Sequence, residues 1–158
     1  MKNNIARALL VLAAASVVAL APIQANAAQC SLGSMAGNWA YTYTGTIFTQ
    51  NGPLPAASVG RYHQDTAGNI TGSQTRSVAG NSGVEEITGK ITVNGNCTAT
   101  ANINVFQNAS LQRSAVLALV FDSNGNHSRT IFKSLTLPDG TDVPVVITAD
   151  ANRLVTRD

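Results

Sequence analysis

Apolar and polar side chains alternate along most of the chain from Gly37 onward, which is the pattern of half-buried β-strands. The clearest example lies at the start of this region, where Trp39, Tyr41, Tyr43 and Ile47 share one face and small or hydroxylated residues share the other. No stretch here has the length and period of an amphipathic helix. The pattern therefore predicts an all-β domain.

Turn-forming residues divide this region into about eight strands. Asn94-Gly95 between two alternating runs is a strong hairpin signal, because both residues tolerate positive φ. The proline-containing segment 51–55 is expected to form a loop, since proline cannot donate to a strand ladder. The first strand opens at residue 37, and the others are predicted at 57–64, 70–78, 84–93, 97–105, 113–121, 127–137 and 145–149.

Short connections between successive strands favour an up-and-down barrel. In a meander each strand neighbours the next, whereas a Greek-key sandwich needs at least one long crossing connection. Closure also removes edge strands, which are an aggregation hazard in a chain so rich in β-branched residues. We predict a single antiparallel up-and-down β-barrel of about eight strands, with a β-sandwich as the alternative.

The N-terminus follows another pattern, in which a cationic tip precedes an apolar run over residues 8–21. The run is shorter than the roughly 20 residues that span a bilayer, and Pro22 ends it. The small residues of 25–27 fit a signal-peptidase site. We expect residues 1–27 to be a secretory signal peptide and residues 28–158 to form one exported domain, periplasmic or extracellular.

Removing that segment changes the charge balance. The full chain carries ten Lys and Arg against eight Asp and Glu, but Lys2 and Arg7 belong to the signal, so the mature chain has eight of each. Because no basic run or basic helix remains, the charge pattern argues against nucleic acid and anionic membrane surfaces as partners. No stable membrane insertion is expected after signal cleavage.

Both cysteines, Cys30 and Cys97, lie in the predicted mature chain. In an oxidising compartment a disulfide between them is the expectation, worth about 4 kcal/mol in the chain-entropy model. The sequence contains no CxxC, and neither His63 nor His127 stands at ligand spacing from a cysteine. We therefore predict a structural disulfide and no metal site.

Candidate chemistry is sparse. The chain contains no motif of a serine hydrolase, zinc protease or phosphate-binding loop, so we assign no catalytic residue and expect no cofactor. Glu85 and Glu86 are adjacent and would face opposite sides of a strand, which excludes a catalytic carboxylate pair. If several charged strand residues converge in the lumen, a polar or anionic ligand is expected. The candidate lumenal ligand-binding residues are Tyr41, Tyr43, Arg61, His63 and Arg76.

Gly37-Asn38-Trp39 at the opening of the first strand resembles the Gly-x-Trp start of lipocalins and other calycin barrels. The layout of the chain looks like that of small exported bacterial proteins of unknown function with lipocalin-like or allene-oxide-cyclase-like barrels. Besides the Gly-x-Trp triplet, the segments that carry this likeness are residues 30–32, 60–62, 65–72 and 88–100. The resemblance implies that Trp39 plugs the closed end of the barrel and that Arg153 stacks on it through a cation–π contact. The alternative for Arg153 is an ordinary solvated side chain.

Three functions are compatible with such a barrel. The first is an exported protein that binds a small amphipathic molecule among its strands. The second is an envelope structural, interaction or inhibitor-like barrel with a filled core, and the third is a cofactor-free isomerase or cyclase of the allene-oxide-cyclase type. A cavity of roughly 300 Å³ or more would support the first and third, whereas a solid core would leave the second.

Overall fold

The computed structural model describes residues 30–154 and shows the predicted closed barrel. Each strand pairs antiparallel with the next, and the last pairs with the first, so the up-and-down topology is confirmed and a sandwich is excluded. The predicted signal peptide lies outside the described residues. The elements are the helix α1 (Leu32–Met35) and the strands β1 (Gly37–Thr49), β2 (Gly52–Gln64), β3 (Asn69–Val78), β4 (Asn81–Val93), β5 (Thr98–Gln107), β6 (Ser110–Phe121), β7 (His127–Thr136) and β8 (Val145–Arg153).

The helix content of the described part is small. It contains no helix with the length and hydropathy needed to cross a membrane. The short α1 is capped by Ser31, whose side chain accepts from the backbone N–H of Ser34 while Ser34 reciprocates to the Ser31 N–H. This reciprocal capping explains why so short a turn is helical.

The loop predicted at 51–55 is wrong, because β2 already begins at Gly52 and includes both Pro53 and Pro55. These prolines lie opposite Phe48 and Thr46 of β1. Pairing between β2 and β3 starts only at Ala56, and the Pro55 carbonyl oxygen accepts from the Ala79 N–H of the β3–β4 turn, so neither proline needs an N–H donor on this side. Proline is tolerated where one side of the strand has no ladder to complete.

Regular alternation decides which side chains enter the lumen. On β2 the buried positions are Ala56, Ser58 and Gln64, while the odd-numbered residues from 57 to 63 are exposed. Gly60 continues the inward row, and a Cβ at this position would come within 2.7 Å of the Tyr41 ring. Glycine therefore lets Tyr41 lie flat across the neighbouring strand and reach the middle of the lumen.

One end of the barrel, which we call the closed end, is sealed by α1 and by the turns that precede β3, β5 and β7. The Trp39 side chain is completely buried there and donates from Nε1 to the Met35 carbonyl oxygen at 3.2 Å. It stacks on Tyr62 with ring centroids 6.2 Å apart and packs against Phe121 at 5.7 Å. The indole thus fills this end of the barrel as an apolar plug.

Arg153 and the disulfide hold α1 against the plug. The Arg153 guanidinium lies 5.2 Å from the Trp39 ring centroid and donates through Nη2 to the Ser34 carbonyl oxygen. Cys30 and Cys97 form a disulfide that spans 67 residues and ties the start of α1 to the β4–β5 turn. In the chain-entropy model a loop of this length corresponds to about 4 kcal/mol of stabilisation. The closed end is therefore fixed by stacking, hydrogen bonding and a covalent link together.

Candidate lumenal binding site

The barrel encloses a cavity of about 90 Å³. Its walls are mostly Ile, Leu, Val, Ala and aromatic side chains, with a polar group on one side. The volume is well below the roughly 300 Å³ expected for a drug-sized ligand, yet it exceeds the space of a single water several-fold. The lumen is thus neither solid nor spacious.

The end of the barrel opposite the plug, which we call the open end, is less tightly covered. Inward-facing Ile47, Val78 and Val145 near its rim are only partly buried, in contrast to the completely buried Trp39. The Arg76 side chain, three residues before the β3–β4 turn, keeps 29% of its surface exposed. A ligand can therefore approach the cavity from the open end, past Arg76.

A buried carboxylate organises the polar side of the lumen. Glu85 on β4 is 1% exposed and accepts two hydrogen bonds from Arg113 on β6, from Nη1 to Oε1 at 2.8 Å and from Nη2 to Oε2 at 2.6 Å. Arg76 donates from Nε to Glu85 Oε1 at 2.9 Å. Gln74 donates from Nε2 to Glu85 Oε2 at 2.7 Å. Each carboxylate oxygen accepts two bonds, so the acceptor capacity of Glu85 is fully used.

The network continues through Gln74 to two hydroxyl groups. The Gln74 Oε1 atom accepts from the Tyr41 hydroxyl at 2.7 Å and from the Ser58 hydroxyl at 3.1 Å. Because its amide nitrogen already donates to Glu85, the orientation of the Gln74 amide is fixed by its partners. We call Tyr41, Ser58, Gln74, Arg76, Glu85 and Arg113 the lumenal polar network.

The charged groups of this network strongly shift the pKa of one carboxyl group. Burial alone would raise the pKa of Glu85, but the hydrogen bonds and charge of Arg113, helped by Gln74 and Arg76, outweigh it and lower the pKa to about 2. Burial raises the pKa of Tyr41, Tyr43 and Tyr62 above the ordinary value for a phenol. At neutral pH the lumen therefore contains a carboxylate, two guanidinium groups and neutral tyrosines.

The cavity wall is more positively charged than the network as a whole. Arg76 and Arg113 line the cavity, together with Gln74, whereas Glu85 lies behind them and does not. With two guanidinium groups against one carboxylate, the network has a net charge of plus one. The charged groups presented to the cavity by described residues are both cationic.

Three of the five predicted lumenal residues lie where they were expected. Tyr41, Tyr43 and Arg76 line the cavity. The expectation for Arg61 and His63 is wrong, because both side chains are exposed on the outer face of β2. Tyr62 between them points inward and packs against Trp39, and alternation sends its two neighbours outward.

The outer position of His63 is stabilised by a neighbour on β1. Its Nδ1 atom lies 3.0 Å from Asn38 Oδ1. Ser128 shows the opposite situation at the deep end of the cavity, where its hydroxyl is completely buried and finds no hydrogen-bond partner among the described residues. Ser128 therefore adds a polar contact point to an otherwise apolar part of the wall.

The central residue of the network was not among the predicted site residues. Glu85 and Glu86 do face opposite sides of β4, as expected, but Glu85 points into the barrel. Its spacing from Ile87 and Ile91, both buried on the same face, was the available signal. Arg113 lies 28 residues away from Glu85, so their pairing depends on how β4, β5 and β6 align.

Comparison with known proteins shows no family for this chain. No protein-family model matches the sequence, and no match was found among curated proteins. The expected relationship to small exported bacterial proteins with lipocalin-like barrels is therefore confirmed only as far as the barrel fold.

Several solved structures are similar to the barrel. One is the redesigned β-barrel mFAP1 bound to DFHBI, with a TM-score of 0.49 and 20% identity over 78% of this chain and 98% of the other. The S-type phycobiliprotein lyase CPES from Guillardia theta gives 0.43 and 12%, over 80% and 92%. Rv2717c from M. tuberculosis gives 0.41 and 10%, over 78% and 95%. At such low scores and identities, these similarities do not bear on what this chain binds.

Replacing Arg113 by Met should destabilise the barrel strongly. Removing one partner leaves Glu85 buried with incomplete compensation, which typically costs about 3 kcal/mol or more. The double variant Glu85→Met/Arg113→Met, in which both charges are removed, should recover most of that loss. Urea unfolding monitored by circular dichroism measures the difference.

The matched control for this pair is Arg129→Met, because Arg129 is exposed on the outer face of β7. Its effect should stay within about 0.5 kcal/mol. An Arg113→Met variant as stable as the wild type, or a double variant no better than the single one, would show that the ion pair is not what holds this side of the lumen.

The stability of the protein should fall steeply between about pH 4.5 and pH 2 because of Glu85. Its folded-state pKa is depressed, so its contribution is complete above the unfolded-state pKa of about 4.5 and is lost as the pH falls through about 2. The contribution is roughly 3 kcal/mol. Glu85→Gln should flatten this part of the stability curve, although the variant is less stable at neutral pH.

Glu86→Gln is the control for the pH experiment, because Glu86 is the exposed neighbour on the same strand. It should keep the steep loss of the wild type when unfolding free energies are measured at several pH values. If Glu85→Gln and Glu86→Gln give parallel curves, Glu85 is not the group that titrates.

Proposed function

We propose that this chain is an exported binding protein whose barrel holds a small amphipathic molecule in its lumen. The observation that supports the proposal most is the cavity itself, which is apolar, reachable from the open end and bordered on one side by a fixed polar network. Such a combination of apolar wall and a few oriented polar groups is typical of small-molecule sites.

The size of the cavity limits the ligand. An engineered apolar cavity of about 150 Å³ in another protein is known to accept benzene. At about 90 Å³ the lumen is smaller than that, so it accepts a short branched chain as it stands and a single small ring when side chains move aside. Phe132 and Leu135, which line the cavity, are unbranched at Cβ and have alternative rotamers, so rotation of these side chains would enlarge the cavity.

A binding role fits the network better than catalysis does. Glu85 accepts four hydrogen bonds and has a lowered pKa, which makes it a poor general base. Tyr41 and Tyr62 have raised pKa values and stay protonated. These groups orient and neutralise one another, and such an arrangement suits a ligand that is held unchanged.

Export is part of the same proposal. The apolar run and cleavage pattern of residues 1–27 support it, and the Cys30–Cys97 disulfide is of the kind that persists in oxidising compartments. We place the mature domain in the periplasm or outside the cell, where a disulfide at the closed end keeps the barrel intact.

Filling the lumen should abolish binding of a small neutral probe. In Ala115→Leu three extra carbon atoms enter the cavity, because Ala115 is buried and lines it. We expect the wild type to bind 4-fluorobenzyl alcohol, detected by fluorine NMR line broadening and shift, and Ala115→Leu to lose most of that binding. Overpacking of this kind typically costs about 1–3 kcal/mol, so circular dichroism is recorded alongside to check that the variant is folded.

Ala57→Leu provides the control, since Ala57 is exposed on the outer face of β2 and receives the same three carbons. It should bind the probe as the wild type does. If neither wild type nor Ala57→Leu binds the alcohol, or if Ala115→Leu binds it unchanged, the lumen is not the binding site. The filled structural or interaction barrel then becomes the better account.

A further inference from the structure

We infer that the ligand carries an anionic head group of the carboxylate type, and that Arg76 is the residue that binds it. This inference deepens the proposed function and rests on it. It is drawn from the unequal use of the two lumenal arginines, from the charge of the cavity wall and from the exposure of Arg76 toward the open end.

The two arginines differ in how many donors remain for a ligand. Arg113 directs both Nη atoms at Glu85, and its side chain is only 13% exposed. Arg76 contributes Nε alone to Glu85, and none of the residues 30–154 accepts a hydrogen bond from its Nη atoms. The Nη edge of Arg76 is the part of a guanidinium that binds a carboxylate through two parallel hydrogen bonds.

Glu85 both restrains Arg76 and leaves it charged for a ligand. The Nε bond at 2.9 Å anchors the guanidinium plane, so little side-chain entropy is lost when the Nη edge is used. Because Arg113 already balances Glu85, the charge of Arg76 is the net charge of the network. A second carboxylate from a ligand would bring the network to neutrality.

The surroundings strengthen an ion pair at this place. The cavity wall on the other sides is apolar, and charge-assisted hydrogen bonds are stronger where water is partly excluded. Tyr43 lies at the same level of the barrel, since the register aligns Tyr43 with Ser58 and Ser58 with Arg76.

Because the depth of the cavity is apolar and Arg76 lies nearer the open end, a ligand would place its apolar body toward Trp39 and its acid toward the open end.

The position of Arg76 also sets the order of contacts. A molecule entering from the open end meets Arg76 before the apolar depth of the cavity, so the acid is retained near the solvent while the body is buried. This orientation minimises the cost of desolvating the charge. A neutral ligand of the same shape would gain the apolar contacts but not the ion pair.

The test compares two probes of nearly equal shape, 4-fluorobenzoate and 4-fluorobenzyl alcohol, at neutral pH where the benzoate is ionised. Dissociation constants are measured by fluorine NMR for the wild type, Arg76→Gln, Arg76→Lys and Arg61→Gln. Arg61 is exposed on the outer face of β2, so Arg61→Gln removes the same charge without touching the lumen.

We expect the wild type and Arg61→Gln to bind the benzoate about tenfold or more tightly than the alcohol. Arg76→Gln should lose that preference through weaker binding of the benzoate, because the ion pair with the Nη edge is gone while Arg113 and Gln74 still hold Glu85. Arg76→Lys keeps the charge and should retain part of the preference, although it loses the two-pronged geometry.

The inference fails, with the proposed function intact, if the wild type binds the alcohol as tightly as the benzoate. It fails equally if Arg76→Gln weakens both probes alike, since that is the signature of a structural effect, or if Arg61→Gln removes the preference. Failure of both probes to bind any folded variant overturns the proposed function as well. If Arg76→Gln does not fold, a benzoate preference that is undiminished in Arg76→Lys contradicts the two-pronged contact.

Discussion

The bidentate ion pair between Glu85 and Arg113 joins two strands that are not neighbours, β4 and β6, across the inside of the barrel. A carboxylate at 1% exposure is stable only when its charge and its lone pairs are matched. Arg113 supplies most of that compensation, and Gln74 and Arg76 supply the rest. The orientation of Gln74, and through it of the Tyr41 and Ser58 hydroxyl groups, follows from this pair.

The two ends of the barrel differ in packing and in charge. At the closed end the indole of Trp39, the Arg153 guanidinium and the Cys30–Cys97 disulfide make a closely packed base. Toward the open end the packing loosens and charge appears, with Arg76 partly exposed. The cavity lies between these regions, so its depth is apolar and its entrance is cationic.

Part of this arrangement is predictable from sequence, because a two-residue period combined with large aromatic side chains is unambiguous. The alternation of Trp39, Tyr41 and Tyr43 shows which face of β1 is buried. The short turns between successive strands predict the up-and-down barrel. On β2 the two-residue period is present, but residue polarity points to the wrong face. The inward residues include Ser58 and Gly60, while the apolar Val59 is 59% exposed on the outside. That inversion explains why Arg61 and His63 were expected in the lumen.

The polar network was harder to predict for a different reason. An acidic residue is expected at the surface, and the sequence around Glu85 does not indicate that Arg113 is its partner. The register of β4 on β5 and of β5 on β6, with its shift between Val105 and Phe106, brings Arg113 into reach. Local patterns determine the face of a residue, whereas the stagger of several strands determines which inward residues meet.

A crystal structure of the protein with 4-fluorobenzoate bound tests the lumenal site most directly. We expect the fluorinated ring in the cavity and both carboxylate oxygens about 2.8 Å from the Nη atoms of Arg76, with the Glu85–Arg113 pair undisturbed. Benzoate bound only on the outer face, or in the lumen with its carboxylate turned away from Arg76, would contradict this expectation.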